Sequence, residues 1–239
     1  MTPETLTNLI DATWPAKSVH TVAGWTIREG GGAGSRVSAA TATGAAHINE
    51  RSIAEDAMRD LGQTPLFMVR AGEDDLDAAL AADGYAIKDP VTYYTAPTAV
   101  LATTRPPPVS CFEVWPPLAA QAEIWAAGGI GATRLAVMDR AAGAKTTILG
   151  RLNDTPAGTA YAAIHEGTAM FHAIETAQDF RRMGLGRHMI RALAFWAQDN
   201  GADTVALLVT KANVGANALY EALGMTAQGG YHYRIHPEA

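Results

Sequence analysis

A cluster of arginines and glycines at residues 181–187 contains the residue types that bind a phosphate group. It reads Arg-Arg-Met-Gly-Leu-Gly-Arg and lies between a strand-like and a helix-like stretch. Glycine lets the backbone turn tightly, so that several N–H groups can approach one ligand. These N–H groups and the positive end of the following helix form an anion site, to which the arginines add charge and bidentate donors. The pattern therefore predicts a pyrophosphate site.

Two other phosphate-binding loops fit this segment less well. A Walker loop needs Lys-Ser/Thr directly after its last glycine, whereas Arg187 follows Gly186 here. A Rossmann fingerprint needs a small residue three positions after Gly186, where the chain has Met189. The alternative to a phosphate site is a basic helix start without a ligand.

A second group of functional residues opens the next helix-like stretch. From Asn213 to Gly224 it reads Asn-x-x-Ala-x-x-Leu-Tyr-x-x-Leu-Gly, directly after an apolar segment at 204–210. Residues three or four positions apart share a helical face, so Asn213 and Tyr220 can both point towards one groove. An amide and a phenol there can hold a carbonyl and protonate a leaving thiolate. An N-cap asparagine and a half-buried tyrosine are the alternative interpretation.

Taken together and in this order, the two motifs resemble those of the GNAT N-acetyltransferase family. Its loop reads Gln/Arg-x-x-Gly-x-Gly/Ala and its later helix Asn-x-x-Ala-x-x-Leu-Tyr-x-x-Leu-Gly-Phe; this chain departs from them at Met225, which replaces phenylalanine. The resemblance covers about residues 111–236. It implies a GNAT α/β (α+β) fold with a mixed, mostly antiparallel central sheet flanked by helices. It also implies transfer of an acetyl group from acetyl-CoA to a primary amine of a small molecule, peptide or protein in a ternary complex.

The resemblance assigns roles to individual residues. The loop would wrap the CoA pyrophosphate, residues 174–176 would pair with the pantetheine arm and polarise the thioester carbonyl, and Asn213 would bind the CoA arm. Tyr220 would be the general acid for the CoA thiolate. The residues expected at acetyl-CoA are Ile174, Glu175, Thr176, Arg181, Arg182, Met183, Gly184, Leu185, Gly186, Arg187, Asn213 and Tyr220.

The general base is left open between His172 and Glu175, on the strand before the loop. The strand after the loop has only aliphatic side chains at 207–209. Strict alternation puts His172 and Glu175 on opposite faces, so at most one of them would meet the substrate directly. Histidine titrates near neutrality, which suits a base. Glu166 falls in a predicted turn and is the weaker candidate.

Prolines at 106–108, with others at 97, 116 and 117, mark the boundary between two halves. Because proline lacks a backbone donor and favours extended chain, the sequence predicts an N-terminal domain at 1–96, a Pro-rich linker at 97–110 and a GNAT domain at 111–239. Strands are expected at 24–28, 36–39, 66–69, 85–88, 91–95, 146–152, 159–165, 168–176 and 204–210, and helices at 4–12, 52–61, 74–82, 119–127, 133–141, 185–200 and 213–223.

A weak internal sequence repeat relates the two halves. One predicted helix ends at Gly84 and another at Gly224, and a strand is expected after each. Tyr93 and Tyr233 each lie nine residues beyond these glycines. The first half therefore resembles a smaller, degenerate GNAT-like unit. It lacks the arginine-glycine loop, and Leu80 and Glu73 stand at the positions of Tyr220 and Asn213.

The composition sets limits on the function. Hydrophobic residues make up 48% and charged residues 18% of the 239 residues, as in soluble globular proteins. The net charge of −6 argues against electrostatic binding of nucleic acid, and although it suits a cationic amine, solubility alone explains it. The single cysteine, Cys111, excludes an internal disulfide and a Cys-rich metal site.

No segment reaches the roughly 20 apolar residues of a membrane span, and the N-terminus lacks the pattern of a signal peptide. We therefore expect a cytoplasmic monomer or homodimer that binds no metal, membrane or nucleic acid. Two alternative functions are a non-enzymatic acyl-CoA-binding or sensing module and a transferase that uses another acyl-CoA.

Overall fold

The computed structural model describes residues 2–43 and 50–237, which form eight α-helices and eleven strands. The first half contains α1 (Pro3–Thr13), β1 (Ser18–Val22), β2 (Trp25–Glu29), β3 (Thr41–Ala42), α2 (Arg51–Asp60), β4 (Leu66–Arg70), α3 (Asp74–Ala82), β5 (Ala86–Pro97) and α4 (Thr98–Leu101). The second half contains β6 (Cys111–Val114), α5 (Ala119–Ala127), α6 (Ala132–Arg140), β7 (Lys145–Leu152), β8 (Thr155–His165), β9 (Thr168–Thr176), α7 (Leu185–Asp199), β10 (Thr204–Thr210), α8 (Val214–Ala222) and β11 (Thr226–Ile235).

Eight strands form one sheet, in the order β4-β11-β5-β10-β9-β8-β7-β6, and β1–β3 form a small separate sheet. In the large sheet β9 and β10 pair in parallel, and the other neighbouring strands described pair antiparallel. The mixed, mostly antiparallel sheet expected from the sequence is confirmed. The parallel pair is joined by α7, as a parallel connection requires a crossover.

The two halves exchange their last strands within this sheet. β5 of the first half lies between β10 and β11, and β11 of the second half lies between β4 and β5. A shift of 140 residue numbers relates the pairings: Leu66 pairs with Ile235, and Ala206 pairs with Thr95. The same shift carries α3 onto α8. The internal sequence repeat thus corresponds to an arrangement of strands with approximate two-fold symmetry.

Helices cover both faces of the large sheet. Along β8, Ala160 and Ala162 lie in the hydrophobic cluster of α7, whereas Tyr161 lies in a cluster of α5 and α6 residues with Trp14 and Trp125. This alternation is expected for a strand buried on both faces. The large sheet, which carries the site described below, is therefore the middle layer between two layers of helices.

Three sequence-based expectations differ from the structure. Residues 36–39 do not form a strand, because the chain turns at Gly34 (φ 101°) into a 3₁₀ turn at Ser35–Val37. Local hydrogen bonds, such as that from the Val37 N–H to the Gly34 carbonyl, replace those of a ladder. The predicted strands 85–88 and 91–95 are one strand, β5, whose irregularity lies at Asp89 (φ 44°). The strands β1, β3 and β6 were not predicted.

The first residues of the predicted linker, 97–110, belong to regular secondary structure. Pro97 is the last residue of β5, and Thr98 opens α4, with its hydroxyl donating to the Ala202 carbonyl at 2.7 Å. Leu101 is buried in the core that contains α7. The start of the predicted linker is therefore packed against the second half. The domain boundaries at 1–96, 97–110 and 111–239 stay a prediction.

Candidate functional site

A cleft opens where β9 and β10 separate. The two strands pair from Thr168 and Thr204 to Phe171 and Leu207, and beyond these residues each continues beside its other neighbour, β8 or β5. The facing edges thus leave main-chain donors and acceptors for an extended ligand. A cavity of about 260 Å³ lies at the separation, and its lining includes Arg36, His172, Ile174, Asn213 and Tyr220.

A β-bulge at Ala173 (φ 49°) changes the direction of the side chains of β9. His172 pairs with Tyr161 and Glu175 pairs with Thr159, so that two residues of β9 oppose one of β8. An extra residue reverses the alternation of faces beyond it. His172 and Glu175 therefore lie on the same face of the sheet. The expectation of opposite faces is wrong, because strict alternation does not continue through a bulge.

His172 is buried, with 3% of its surface exposed, and stacks on Trp14 with ring centroids 5.0 Å apart. Because a guanidinium can only donate, Nδ1 accepts from Nη1 of Arg36 at 2.9 Å, and Nε2 carries the hydrogen towards Oγ1 of Thr13 at 3.0 Å. Burial, and then the charge of Arg36, hold the pKa of His172 well below its usual value. The ring is therefore neutral, and both its nitrogens are engaged.

Glu175 connects the strand to the arginine-glycine loop. Its Oε1 accepts a hydrogen bond from Nη2 of Arg181 at 2.9 Å, and 19% of its side chain is exposed. The side chain lies so close to Gly128 that a Cβ there would come within 2.8 Å of it. Glu175 is thus held at the loop end of the cleft and is within reach of water.

Asn213 and Tyr220 both line the cavity from α8. Asn213 is the N-cap of this helix, and its side-chain oxygen accepts from the Ala216 N–H at 3.1 Å. Tyr220 is 6% exposed, and burial, followed by the neighbouring Tyr94, raises its pKa to about 12. The phenol is therefore protonated at neutral pH and can serve as a hydrogen donor.

The arginine-glycine loop leads directly into α7. Arg182 (φ 65°) and Gly184 (φ 87°) both have left-handed backbone, and no side chain caps the start of the helix. The first N–H groups of such a helix lack intrahelical partners and favour an anion. The remaining predicted loop residues divide between surface and core: Arg181, Arg182, Met183 and Arg187 are exposed, and Leu185 is buried.

Thr176 and Gly186 lie where the loop contacts the end of β9 and helix α8. The Thr176 carbonyl accepts from Nε of Arg181 at 3.0 Å, which fixes the arginine against the end of β9. A Cβ at Gly186 would lie 3.3 Å from the Leu219 side chain, so glycine there allows α7 to approach α8 closely. The loop, the strand end and α8 therefore meet around the cleft.

The first half contributes cavity residues that the sequence did not indicate. Arg36 and Val91 line the cavity, and the ring of Tyr94 contacts Tyr220. None of them belongs to a motif, and Arg36 lies in a segment expected to be a strand. The exchange of strands brings β5 to the cleft, and nothing in the local sequence indicates this exchange.

Within residues 2–43 and 50–237, no three His, Cys, Asp or Glu side chains come together as a possible set of metal ligands. No helix in these ranges combines the length and the apolar character needed to cross a membrane.

Comparisons with known proteins indicate the family and the fold of this chain. The model of the acetyltransferase (GNAT) family matches residues 109–225. The uncharacterized N-acetyltransferase YobR of Bacillus subtilis (strain 168) is 36% identical over 73 residues, which are 30% of this chain and 30% of that protein.

Two solved structures share the fold. A GCN5-related N-acetyltransferase from Kribbella flavida superposes with a TM-score of 0.72 at 16% identity, over 98% of this chain and 95% of the other. A tandem GNAT protein from the clavulanic acid biosynthesis pathway gives a TM-score of 0.61 at 15% identity, over 83% and 74%.

Through residues 109–225 the chain belongs to the GNAT acetyltransferase family. Proteins of this family transfer an acyl group from an acyl-CoA to an acceptor. The GNAT fold expected from the sequence is confirmed.

Proposed function

We propose that this protein is an N-acetyltransferase that moves the acetyl group of acetyl-CoA to a primary amine by direct attack in a ternary complex. The observation that carries the proposal is the cleft between β9 and β10, whose cavity is lined by Asn213 and Tyr220 of α8. The exposed arginines of the loop lie at one end of β9, and the bulge at Ala173 lies within the cleft.

The cofactor arm would lie along the open edge of β9. The loop at 181–187 holds the pyrophosphate through the main-chain N–H groups that begin α7 and through its arginine side chains. Residues 174–176 pair with the amide groups of the pantetheine arm as an added strand would. Asn213 keeps its amide nitrogen for the arm, because its side-chain oxygen caps α8.

The chemical step needs one acid and one proton acceptor. The nitrogen lone pair of the neutral amine attacks the thioester carbon, and a main-chain N–H near the bulge stabilises the developing oxyanion. The C–S bond then breaks, and the CoA thiolate takes the proton of the Tyr220 hydroxyl. The nitrogen loses its own proton as the amide forms. The tyrosinate regains a proton from water before the next turnover.

Glu175 is our proposal for the group that accepts the amine proton, through a water molecule. His172 is less suitable, because Arg36 and Thr13 occupy both of its nitrogens. Glu175 is partly exposed, so that water can connect its carboxylate to the cleft. Its ion pair with Arg181 orients it without enclosing it.

Release of CoA thiol, measured with acetyl-, propionyl- and succinyl-CoA and a panel of primary amines, tests the proposal. We expect amine-dependent release that is fastest with acetyl-CoA. Binding of acetyl-CoA without transfer to any amine would favour the non-enzymatic module, and faster turnover with another thioester would identify a different acyl donor.

A further inference from the structure

A second cavity adjoins the first at the bulge of β9. Its volume is about 270 Å³, below the ~300–1,000 Å³ of sites for drug-sized ligands. Both halves contribute to its walls, which include Trp14, Arg36, Asp89, Arg134, Tyr231 and Tyr233. The two cavities share Arg36, Val91, Ala173 and Thr210. A small molecule in the second cavity would therefore lie beside the position of the thioester carbonyl.

Arg36 lies in the wall of this cavity and is only partly satisfied by the protein. Nη1 donates to His172, and the guanidinium lies 5.9 Å from the centre of the Trp14 ring. Its Nε is buried and has no hydrogen-bond partner in the described part of the chain. A buried donor without a partner destabilises the protein. An anion in the cavity beside this guanidinium would offset its charge.

Arg134 adds a second positive charge to the same cavity. Its Nε donates to the Ala33 carbonyl at 3.3 Å and its Nη1 to the Gly129 carbonyl at 3.4 Å, so its charge meets neutral acceptors. Asp89 contributes one carboxylate and is exposed. With two guanidinium groups and one carboxylate, the cavity is positive, although the whole chain has a net charge of −6. This local reversal of sign indicates an anionic group on the ligand.

We infer that the acetyl acceptor is an amine of amino-acid size that carries a carboxylate, which Arg36 and Arg134 bind while the amine faces the bulge at Ala173. This inference rests on the proposed function. A guanidinium recognises a carboxylate through two parallel N–H donors, and the aromatic walls exclude water around the pair. Asp89, at the exposed side of the same cavity, offers a carboxylate to the acceptor while its amine is still an ammonium ion.

The test compares acceptors that differ only in the carboxylate. The twenty common L-amino acids are assayed with acetyl-CoA, and each that reacts is compared with its amide and with the decarboxylated amine. We expect kcat/KM to be about 10- to 100-fold higher for the amino acid, because hydrogen bonds between charged groups are stronger than those between neutral groups. Equal rates for an amino acid and its amide, or turnover of neutral amines alone, would overturn the inference.

Variants connect the preference to the two arginines. Arg36→Gln and Arg134→Gln should each raise KM for the amino acid about 10-fold or more and leave KM for its amide nearly unchanged. Arg105→Gln is the matched control, because the Arg105 side chain is 71% exposed and belongs to neither cavity. Arg134→Gln keeps the test decisive if Arg36→Gln unfolds. An unchanged preference for carboxylates in Arg134→Gln and any folded Arg36 variant would contradict these roles.

The stabilisation of the protein by acetyl-CoA separates this inference from the proposed function. If acetyl-CoA raises the melting temperature and neutral amines are acetylated, the function stands and the acceptor class is wrong. If acetyl-CoA neither binds nor supports transfer, the proposed function itself fails.

Discussion

The ring of Tyr94 in β5 contacts the ring of Tyr220 in α8 edge-on, with the ring centroids 5.8 Å apart. The Tyr94 hydroxyl lies 3.1 Å from Oδ1 of Asn217 and 2.9 Å from Oε1 of Glu221, both on α8. A strand of the first half thus fixes the helix that carries the proposed acid. The first half completes the cleft and is more than an appended unit.

The chain should bind one acetyl-CoA, although its two halves are related by the shift of 140 residues. In the first half Leu80 replaces Tyr220, and Glu73 replaces Asn213. The Glu73 carboxylate is occupied, since it accepts from the N–H of Arg70 at 2.7 Å and from its Nε at 2.9 Å. Isothermal titration calorimetry should therefore give a stoichiometry near one. A value near two would show that the first half keeps a second site.

Gly184 should contribute to the binding of acetyl-CoA in addition to its contribution to folding stability. Both Gly184 (φ 87°) and Gly201 (φ 78°) have left-handed backbone, one before α7 and one after it. Alanine at either should cost about 1–2 kcal/mol of folding free energy, because a Cβ is unfavourable in this conformation. Acetyl-CoA should raise the melting temperature of Gly201→Ala as it does that of wild type, and much less that of Gly184→Ala. Equal shifts in the two variants would remove the loop from the cofactor site.

The helices α7 and α8 of the second half were predictable because their signals are local. Asn213 and Gly224 mark the two ends of α8, and the apolar spacing of Leu185, Met189 and Leu193 marks the buried face of α7. The motif containing Asn213 and Tyr220 also identified two residues of the cleft. In these segments local preference and tertiary packing agree, so the pattern alone was sufficient.

The rest depends on contacts between distant residues. The insertion of β5 beside β10 is determined by pairing across the halves, which no local pattern encodes. The bulge at Ala173 lies in a sequence without glycine or proline, so strict alternation was the natural expectation. Arg36 and Arg134 reach the second cavity from a turn and a helix of different halves. The function proposed for them rests on the fold and on no motif.

The stability of the protein should decrease as the pH is lowered, and part of this decrease should depend on His172. Its native pKa is held well below the ordinary 6.5, so below pH 6.5 the unfolded state binds a proton that the native state does not. The free energy of unfolding should therefore fall by up to about 1.4 kcal/mol per pH unit as the pH drops from 6.5. Urea unfolding of wild type and His172→Gln at pH 5, 6, 7 and 8 would measure this difference in slope. Identical slopes would mean that His172 titrates normally in the folded protein.

Glu175→Gln should lower kcat more than it raises KM for acetyl-CoA. Loss of a base that acts through water slows proton removal, and general bases contribute typically 10²–10⁴-fold. Glu166→Gln is the control, because the Glu166 side chain is 82% exposed in a turn. If only KM for acetyl-CoA changed, Glu175 would act through its ion pair with Arg181, and His172 would again be the candidate.

Tyr220→Phe should lower kcat about 100-fold and change KM for acetyl-CoA little. The phenol donates its proton only as the C–S bond breaks, so the loss falls on the chemical step. With its pKa raised to about 12, the hydroxyl stays protonated through pH 9, and the defect should persist across that range. We expect the lower end of the effect of a general acid, because the CoA thiolate is a tolerable leaving group and water can partly replace the phenol.

Tyr85→Phe is the matched control for this experiment. Tyr85 is also buried and hydrogen-bonded, to Glu55 at 2.9 Å, but it lies in the core of the first half, in neither cavity. Loss of a hydroxyl there should reduce stability modestly and leave kcat unchanged. Because Tyr220→Phe keeps the ring against Tyr94, a similar melting temperature and a low kcat would indicate a chemical role. A kcat within about twofold of wild type would leave Tyr220 as a packing residue of α8 and would require another proton donor for the thiolate.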